Sequence, residues 1–137
     1  MNSPPSLPNL INAATTAANK AYAPYSGFTV GAAILTENGA VFCGCNVENA
    51  SYGLTNCAER VAIGAAVVAG HRRFSAIVIY TPTQQPTAPC GACRQVLREF
   101  GSGIKIISVC DSRVTLETTV EQLLPAAFGP EHLPNVP

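Results

Sequence analysis

A chain of 137 residues fits one domain with one buried core, and 47% hydrophobic against 12% charged residues leaves apolar surface for another copy to cover. Eight basic and eight acidic residues cancel, so the basic stripe that gathers the phosphates of DNA or RNA is missing and a small uncharged substrate is expected. No run of about 18 apolar residues is present, so no membrane-spanning helix is expected.

Met1 to Pro8 holds three prolines and reads as a disordered arm. It lacks a basic region followed by an apolar stretch, so no signal peptide is expected. Asn9 to Tyr22 places Leu10, Ala14, Ala17, Ala18 and Ala21 at helical spacing, and Pro24-Tyr25-Ser26-Gly27 stops that helix in a turn. Phe28 to Leu35 and Ala40 to Cys45 read as the two strands of a hairpin turned at Glu37-Asn38-Gly39. A loop over Asn46 to Asn56 leads into a helix from about Ala58 to Ala69, ended by Gly70. Ser75 to Tyr80 is a buried strand, Thr81 to Pro89 a loop, and Gly91 to Phe100 a helix closed by Gly101. Ile104 to Val109 is another buried strand, Val114 to Leu116 a short one, and Thr119 to Leu124 a final short helix. Strands alternating with helices after an opening hairpin predict an α/β sandwich around a mixed sheet of roughly five strands. Neither a repeat nor a linker divides the chain, so residues 1–137 form one domain. Six cysteines without a signal peptide point to a reducing compartment, the cytoplasm, where thiols serve metals or chemistry rather than disulfides.

Three stretches carry the chemistry: Cys57-Ala58-Glu59-Arg60, Pro89-Cys90-Gly91-Ala92-Cys93-Arg94 and Asn46-Val47-Glu48-Asn49. The first two each open an expected helix, and a helix start carries partial positive charge and unpaired N–H groups that favour thiolate over thiol. Cys90 and Cys93, three apart, point to one side of a first turn. Cys57 and Glu59, two apart, share a site only if the helix end itself faces it. Two helix starts converging on one ion satisfy every spacing. Three thiolates and a water make an open, catalytic zinc site, whereas a structural site closes with a fourth protein ligand. Zinc lowers the pKa of a bound water toward neutrality, and three thiolates on a dication oppose that by leaving one net negative charge. Arg60 and Arg94, directly after the ligand motifs, are expected to donate to the sulfurs and withdraw that charge.

Two blander readings compete. Cys90-x-x-Cys93 alone also fits a thioredoxin-like redox pair, and a structural zinc would recruit Cys43, Cys45, Cys110 or His71. Cys43, Cys45 and Cys110 sit in or beside strands and read as small core residues; His71 and His132 lack ligand spacing and read as surface.

Taken together these motifs resemble the cytidine deaminases, specifically their small homotetrameric class. The likeness runs from Tyr25-Ser26-Gly27-Phe28 through Gly44-Cys45-Asn46-Val47-Glu48-Asn49-Ala50 to Leu123-Leu124-Pro125 and Phe128-Gly129-Pro130. It implies a cytidine deaminase-like three-layer α/β/α sandwich and one Zn2+ per subunit on Cys57, Cys90 and Cys93. It also implies hydrolytic deamination of free cytidine and deoxycytidine in pyrimidine salvage. Zinc deaminases hold the metal on a His/Cys/Cys or a Cys₃ set and use a non-ligand glutamate as acid and base, a role that falls here on Glu59. The resemblance further implies that the Ala58 N–H meets the pyrimidine 2-oxo group and that Asn46 and Glu48 bind the ribose 3′-hydroxyl. Phe28 would pack on the base, and Tyr52 and Phe128 would reach sites in neighbouring subunits of a homotetramer. Without the family, Phe28 reads as core, Asn46 and Glu48 fit a turn cap as well as a binding role, and an anchor for its own tail is an alternative for Phe128. Blasticidin deaminase shares the zinc motifs, but Asn46 to Tyr52 fits the nucleoside enzymes better. Cys57 stands where polynucleotide and nucleotide deaminases place His, and no long insertion is present to grip a strand.

Overall fold

The computed structural model describes residues 5–133. Ser6 opens helix α1 (Leu7–Ala18): its hydroxyl accepts from the Asn9 N–H at 3.4 Å, and Pro8 sits in the first turn, where its missing N–H costs nothing. The arm expected over Met1 to Pro8 is therefore helical from Leu7, while residues 1–4 lie outside the described ones. The helix also stops before Tyr22. That residue bridges to Val47 instead, its N–H donating to the Asn46 carbonyl at 3.0 Å and its carbonyl accepting from the Glu48 N–H at 2.8 Å.

The expected hairpin is formed by β1 (Gly31–Thr36) and β2 (Val41–Cys45), joined by a sheet partner β3 (Phe74–Tyr80), then β4 (Lys105–Val109) and β5 (Leu116–Thr119). The last strand begins where the short strand expected over Val114 to Leu116 ends. Ser112 explains the shift: its hydroxyl donates to the Gln84 carbonyl at 2.7 Å and accepts from the Val114 N–H at 3.1 Å, holding this stretch in a turn. Helices α2 (Ala58–Val68), α3 (Gly91–Phe100) and α4 (Val120–Leu123) complete the framework.

One five-stranded sheet runs in the order β2-β1-β3-β4-β5. Since β1 is antiparallel to both β2 and β3, those two point the same way, and β4 is parallel to β3. Helix α2 follows β2 and α3 follows β3, so both helices start beyond the carboxyl ends of like-directed strands. Crevices at such strand ends are where open α/β sheets bind ligands. On one face Leu10 and Ala14 of α1 pack on Ala33, Val78 and Val109; on the other Ala62, Ala66 and Leu97 pack on Ala32, Ile34, Ile77, Ile79 and Ile106. The alternation of Ala32, Ala33 and Ile34 is the period of a strand buried on both sides. Three layers result.

Gly44 sets the height of α2 above the sheet. A β-carbon there would lie 2.4 Å from both the Ala58 carbonyl oxygen and the Ala62 nitrogen, so only glycine lets the first turn of α2 sit directly on β2. Cys43 is exposed and Cys45 and Cys110 are half-buried, not core as expected, because β2 is an edge strand and Cys110 follows the end of β4. Among the described residues no helix is long and apolar enough to cross a membrane.

Candidate active site

Cys57 is the N-cap of α2 and Cys90 the N-cap of α3, both in extended backbone, so their side chains swing off the helix ends rather than along them. Cys93, one turn into α3, is fully buried between the two. The three sulfurs lie within 4.8 Å of one another, with Cys57 and Cys90 3.9 Å apart. Zinc–sulfur bonds of about 2.3 Å in a tetrahedron put the sulfurs about 3.8 Å apart. The donor set therefore fits zinc. Among the described residues no other His, Cys, Asp or Glu joins this set, so Cys43, Cys45, Cys110 and His71 do not close the fourth corner.

Electrostatics favour thiolate at Cys57. Cys57 is lowered to about 5, first by a hydrogen bond from the Cys93 thiol and further by Arg60. Cys93, the proton holder of that pair, is raised by the same bond and by burial. The Arg60 guanidinium donates through one Nη2 to Cys57 Sγ and to the Thr55 carbonyl, each at 3.3 Å.

Arg94 does not repeat this arrangement. Its Nε donates to the Pro89 carbonyl at 2.8 Å and its Nη1 to the Leu123 carbonyl at 3.0 Å, so the expected contact with a sulfur is replaced by two backbone bonds. From one turn inside α3 the side chain runs back along the helix to the loop before Cys90, and its charge ends on α4. Two different outcomes should follow. Arg60→Gln should weaken zinc retention and turnover, whereas Arg94→Gln should lower stability by about 1–3 kcal/mol with zinc content unchanged. Metal analysis beside thermal melts separates them; equal zinc loss in both variants would contradict the assignment.

Glu59, second residue of α2, is 5% exposed. Burial pushes its carboxyl above the usual range, and the negative sulfur of Cys57 pushes the same way. Beside it opens a cavity of about 200 Å3 walled by Phe28, Asn46, Cys57, Ala58, Glu59 and Cys90. Val30, Thr55, Ile79, Thr81, Thr87 and Ala88 complete the wall. The sequence offered no motif for these six, since each is an ordinary strand or loop residue. An adjoining hollow, sharing Thr55, is lined by Tyr25, Ser26, Glu48 and Tyr52. The wider hollow between α1 and β2, bordered by Lys20, Cys43 and Cys45, holds neither a helix start nor a carboxylate.

Asn46 and Glu48 first of all build the wall. Asn46 Oδ1 accepts from the Val30 N–H and its Nδ2 donates to the Phe28 carbonyl, both at 2.8 Å. Glu48 accepts from the N–H groups of Tyr25 at 2.9 Å and Ser26 at 3.1 Å and from the Ser26 hydroxyl, which holds its carboxyl below the usual range. Phe28 precedes β1 rather than starting it, and the residue is 40% exposed and lines the cavity instead of the core. Tyr52 is largely exposed against Tyr25. Phe128, also exposed, lies outside the cavity of its own chain and stacks on His132.

An open metal corner next to a carboxylate held out of water is the working arrangement of a metal-dependent hydrolase. A family model described as "Cytidine and deoxycytidylate deaminase zinc-binding region" matches residues 6–110. The cytidine deaminase of Sporosarcina psychrophila is 47% identical over 125 residues, which is 90% of this chain and 92% of that one. That of Halalkalibacterium halodurans is 46% identical over 132 residues, covering 90% and 95%. The cytidine deaminase structure from Burkholderia pseudomallei aligns with a TM-score of 0.87 at 50% identity, covering 90% of this chain and all of that one. The chain belongs to the cytidine deaminase family, whose metal is zinc.

Proposed function

We propose that the chain hydrolyses free cytidine and deoxycytidine to uridine and deoxyuridine with release of ammonia. The observation that supports this most directly is three sulfurs within 4.8 Å beside a carboxylate that is 5% exposed. Cys57, Cys90 and Cys93 hold the metal, which when bound supplies Lewis acidity that makes water a nucleophile near neutral pH. Glu59 takes a proton from the attacking water and passes it to ring N3 as the new C4–O bond forms. It then takes the remaining hydroxyl proton from the tetrahedral carbon and gives it to the amino nitrogen. The C4–N bond breaks, ammonia leaves and the C4 carbonyl forms. One carboxylate serves every transfer because each step regenerates the form the next step needs.

Binding follows from the two hollows. The smaller one takes the pyrimidine against Phe28, with the Ala58 N–H, one of the unpaired donors of a helix start, on the 2-oxo group. Asn46 spends one amide N–H on Phe28 and retains a second for the ribose. Glu48 meets the 3′-hydroxyl from the adjoining hollow. Exposed Tyr52, Leu54, Val68 and Phe128 favour a homotetramer in which Tyr52 and Phe128 reach neighbouring sites. Six unpaired cysteines favour a reducing compartment, the cytoplasm, and the nucleoside substrates favour a place in pyrimidine salvage.

An ultraviolet assay tests the reading. Cytidine and deoxycytidine should lose their absorbance with zinc-loaded protein, while CMP, cytosine and blasticidin S should turn over far more slowly. Silence toward both nucleosides would end the proposal, and preferential turnover of blasticidin S would move the substrate to that class.

A further inference from the structure

The C-terminal stretch is strapped to the helix that carries two of the metal ligands. Along α3, Arg94 donates to the Leu123 carbonyl at 3.0 Å, Gln95 Nε2 to the Phe128 carbonyl at 2.9 Å, and Arg98 pairs with Glu131. These contacts lie on successive points of ten residues, a rod about 15 Å long. The strap closes on itself as well. The Gly129 N–H donates to His132 Nδ1 at 3.0 Å, and the His132 ring stacks on Phe128 at 5.5 Å with 17° between planes. A β-carbon at Gly129 would lie 2.6 Å from the Arg98 guanidinium, so the strap touches the ion pair directly.

All this fixes an aromatic ring that its own core does not use. Phe128 is 57% exposed, although its backbone and both neighbouring segments are tied down. His132 backs part of this ring, and the rest of its surface is presented to whatever lies outside the chain. We infer that Gln95 and Arg98 are positioning residues that set Phe128, through the strap, against the base bound in a second copy of the chain. This rests on the reading of Phe128 given under Proposed function. Because α3 begins at Cys90, one rigid element would register the ring of one copy to the metal ligands of the same copy, coupling site assembly to assembly of the oligomer.

The test is a double-mutant cycle on the zinc-loaded enzyme, with Arg98→Ala, Phe128→Ala and the pair, read as KM and kcat for cytidine. Stacking of a base on an aromatic ring sets the scale of the Phe128→Ala effect at about 5- to 150-fold in KM. Arg98→Ala should raise KM by about fivefold or more with kcat and zinc content held, the pattern of lost binding rather than lost chemistry. In the Phe128→Ala background the same change should do nothing further. Glu131→Gln, a milder surface change, should follow Arg98→Ala in direction and guards against misfolding. An unchanged KM in Arg98→Ala and Glu131→Gln, or an equal rise with and without Phe128, overturns the positioning role. An unchanged KM in Phe128→Ala alone removes the reading of Phe128 itself, and the inference with it.

Discussion

Replacing Glu59 by Gln should abolish turnover while leaving the metal and the fold in place. General acid–base assistance is worth about 10²–10⁴ in rate, and here one side chain moves each proton in turn, so a fall in kcat of about 10⁴ or more is expected. Gln keeps the length and hydrogen-bonding edge of Glu but cannot carry a proton between water, N3 and the leaving nitrogen. Stability should move the other way. Burial raises the folded-state pKa of Glu59, so the group favours folding when protonated and costs stability as pH rises through that value. At neutral pH the metal-free Gln variant should therefore melt no lower than the metal-free parent. Kinetics on zinc-matched samples check the first claim, and melts of the stripped proteins the second. Near-normal turnover by Glu59→Gln would remove Glu59 from the mechanism.

Much of this architecture was legible in the residues, for physical reasons that differ between elements. Helix α3 falls over Gly91–Phe100 as expected, because Cys93 and Leu97 recur on one buried face and Gly101 follows directly. Strand β3 announced itself as an apolar run too short for a helix. By contrast β5 is Leu-Glu-Thr-Thr at the sheet edge, where two threonines favour a strand but one large apolar residue in four does not fix its ends. The cluster of Cys57, Cys90 and Cys93 was legible because each lies at or just inside a helix start, where thiolate is favoured. Arg94 was misjudged for a related reason. A long flexible side chain next to a ligand finds its partner in three dimensions, and the Leu123 carbonyl is 29 residues away in sequence. Asn46 and Glu48 show why residue roles resist reading one at a time. Each holds the cavity wall through backbone bonds, so a substrate contact proposed for either would be added to a structural duty already present.

Removing one sulfur should separate the metal from the scaffold most cleanly at Cys90. Cys93 is fully buried, so Cys93→Ala would cost packing as well as a ligand, whereas Cys90 is exposed at the helix start and its loss leaves the core intact. Cys90→Ala should drop zinc from one per chain to a trace and take deamination with it. A ligand that binds only the folded chain stabilises it by RT ln(1 + [L]/Kd), about 4 kcal/mol at a thousandfold excess over Kd. The variant should therefore melt well below the zinc-loaded parent but close to the parent after exhaustive chelation. Adding zinc back should restore the melting temperature and activity of the stripped parent and do neither for Cys90→Ala. Because two helix starts must share the ion, zinc should also protect the first turns of α2 and α3 from hydrogen exchange together, and the variant should lose both at once. A zinc-free Cys90→Ala protein that still released ammonia from cytidine would detach the chemistry from these sulfurs altogether.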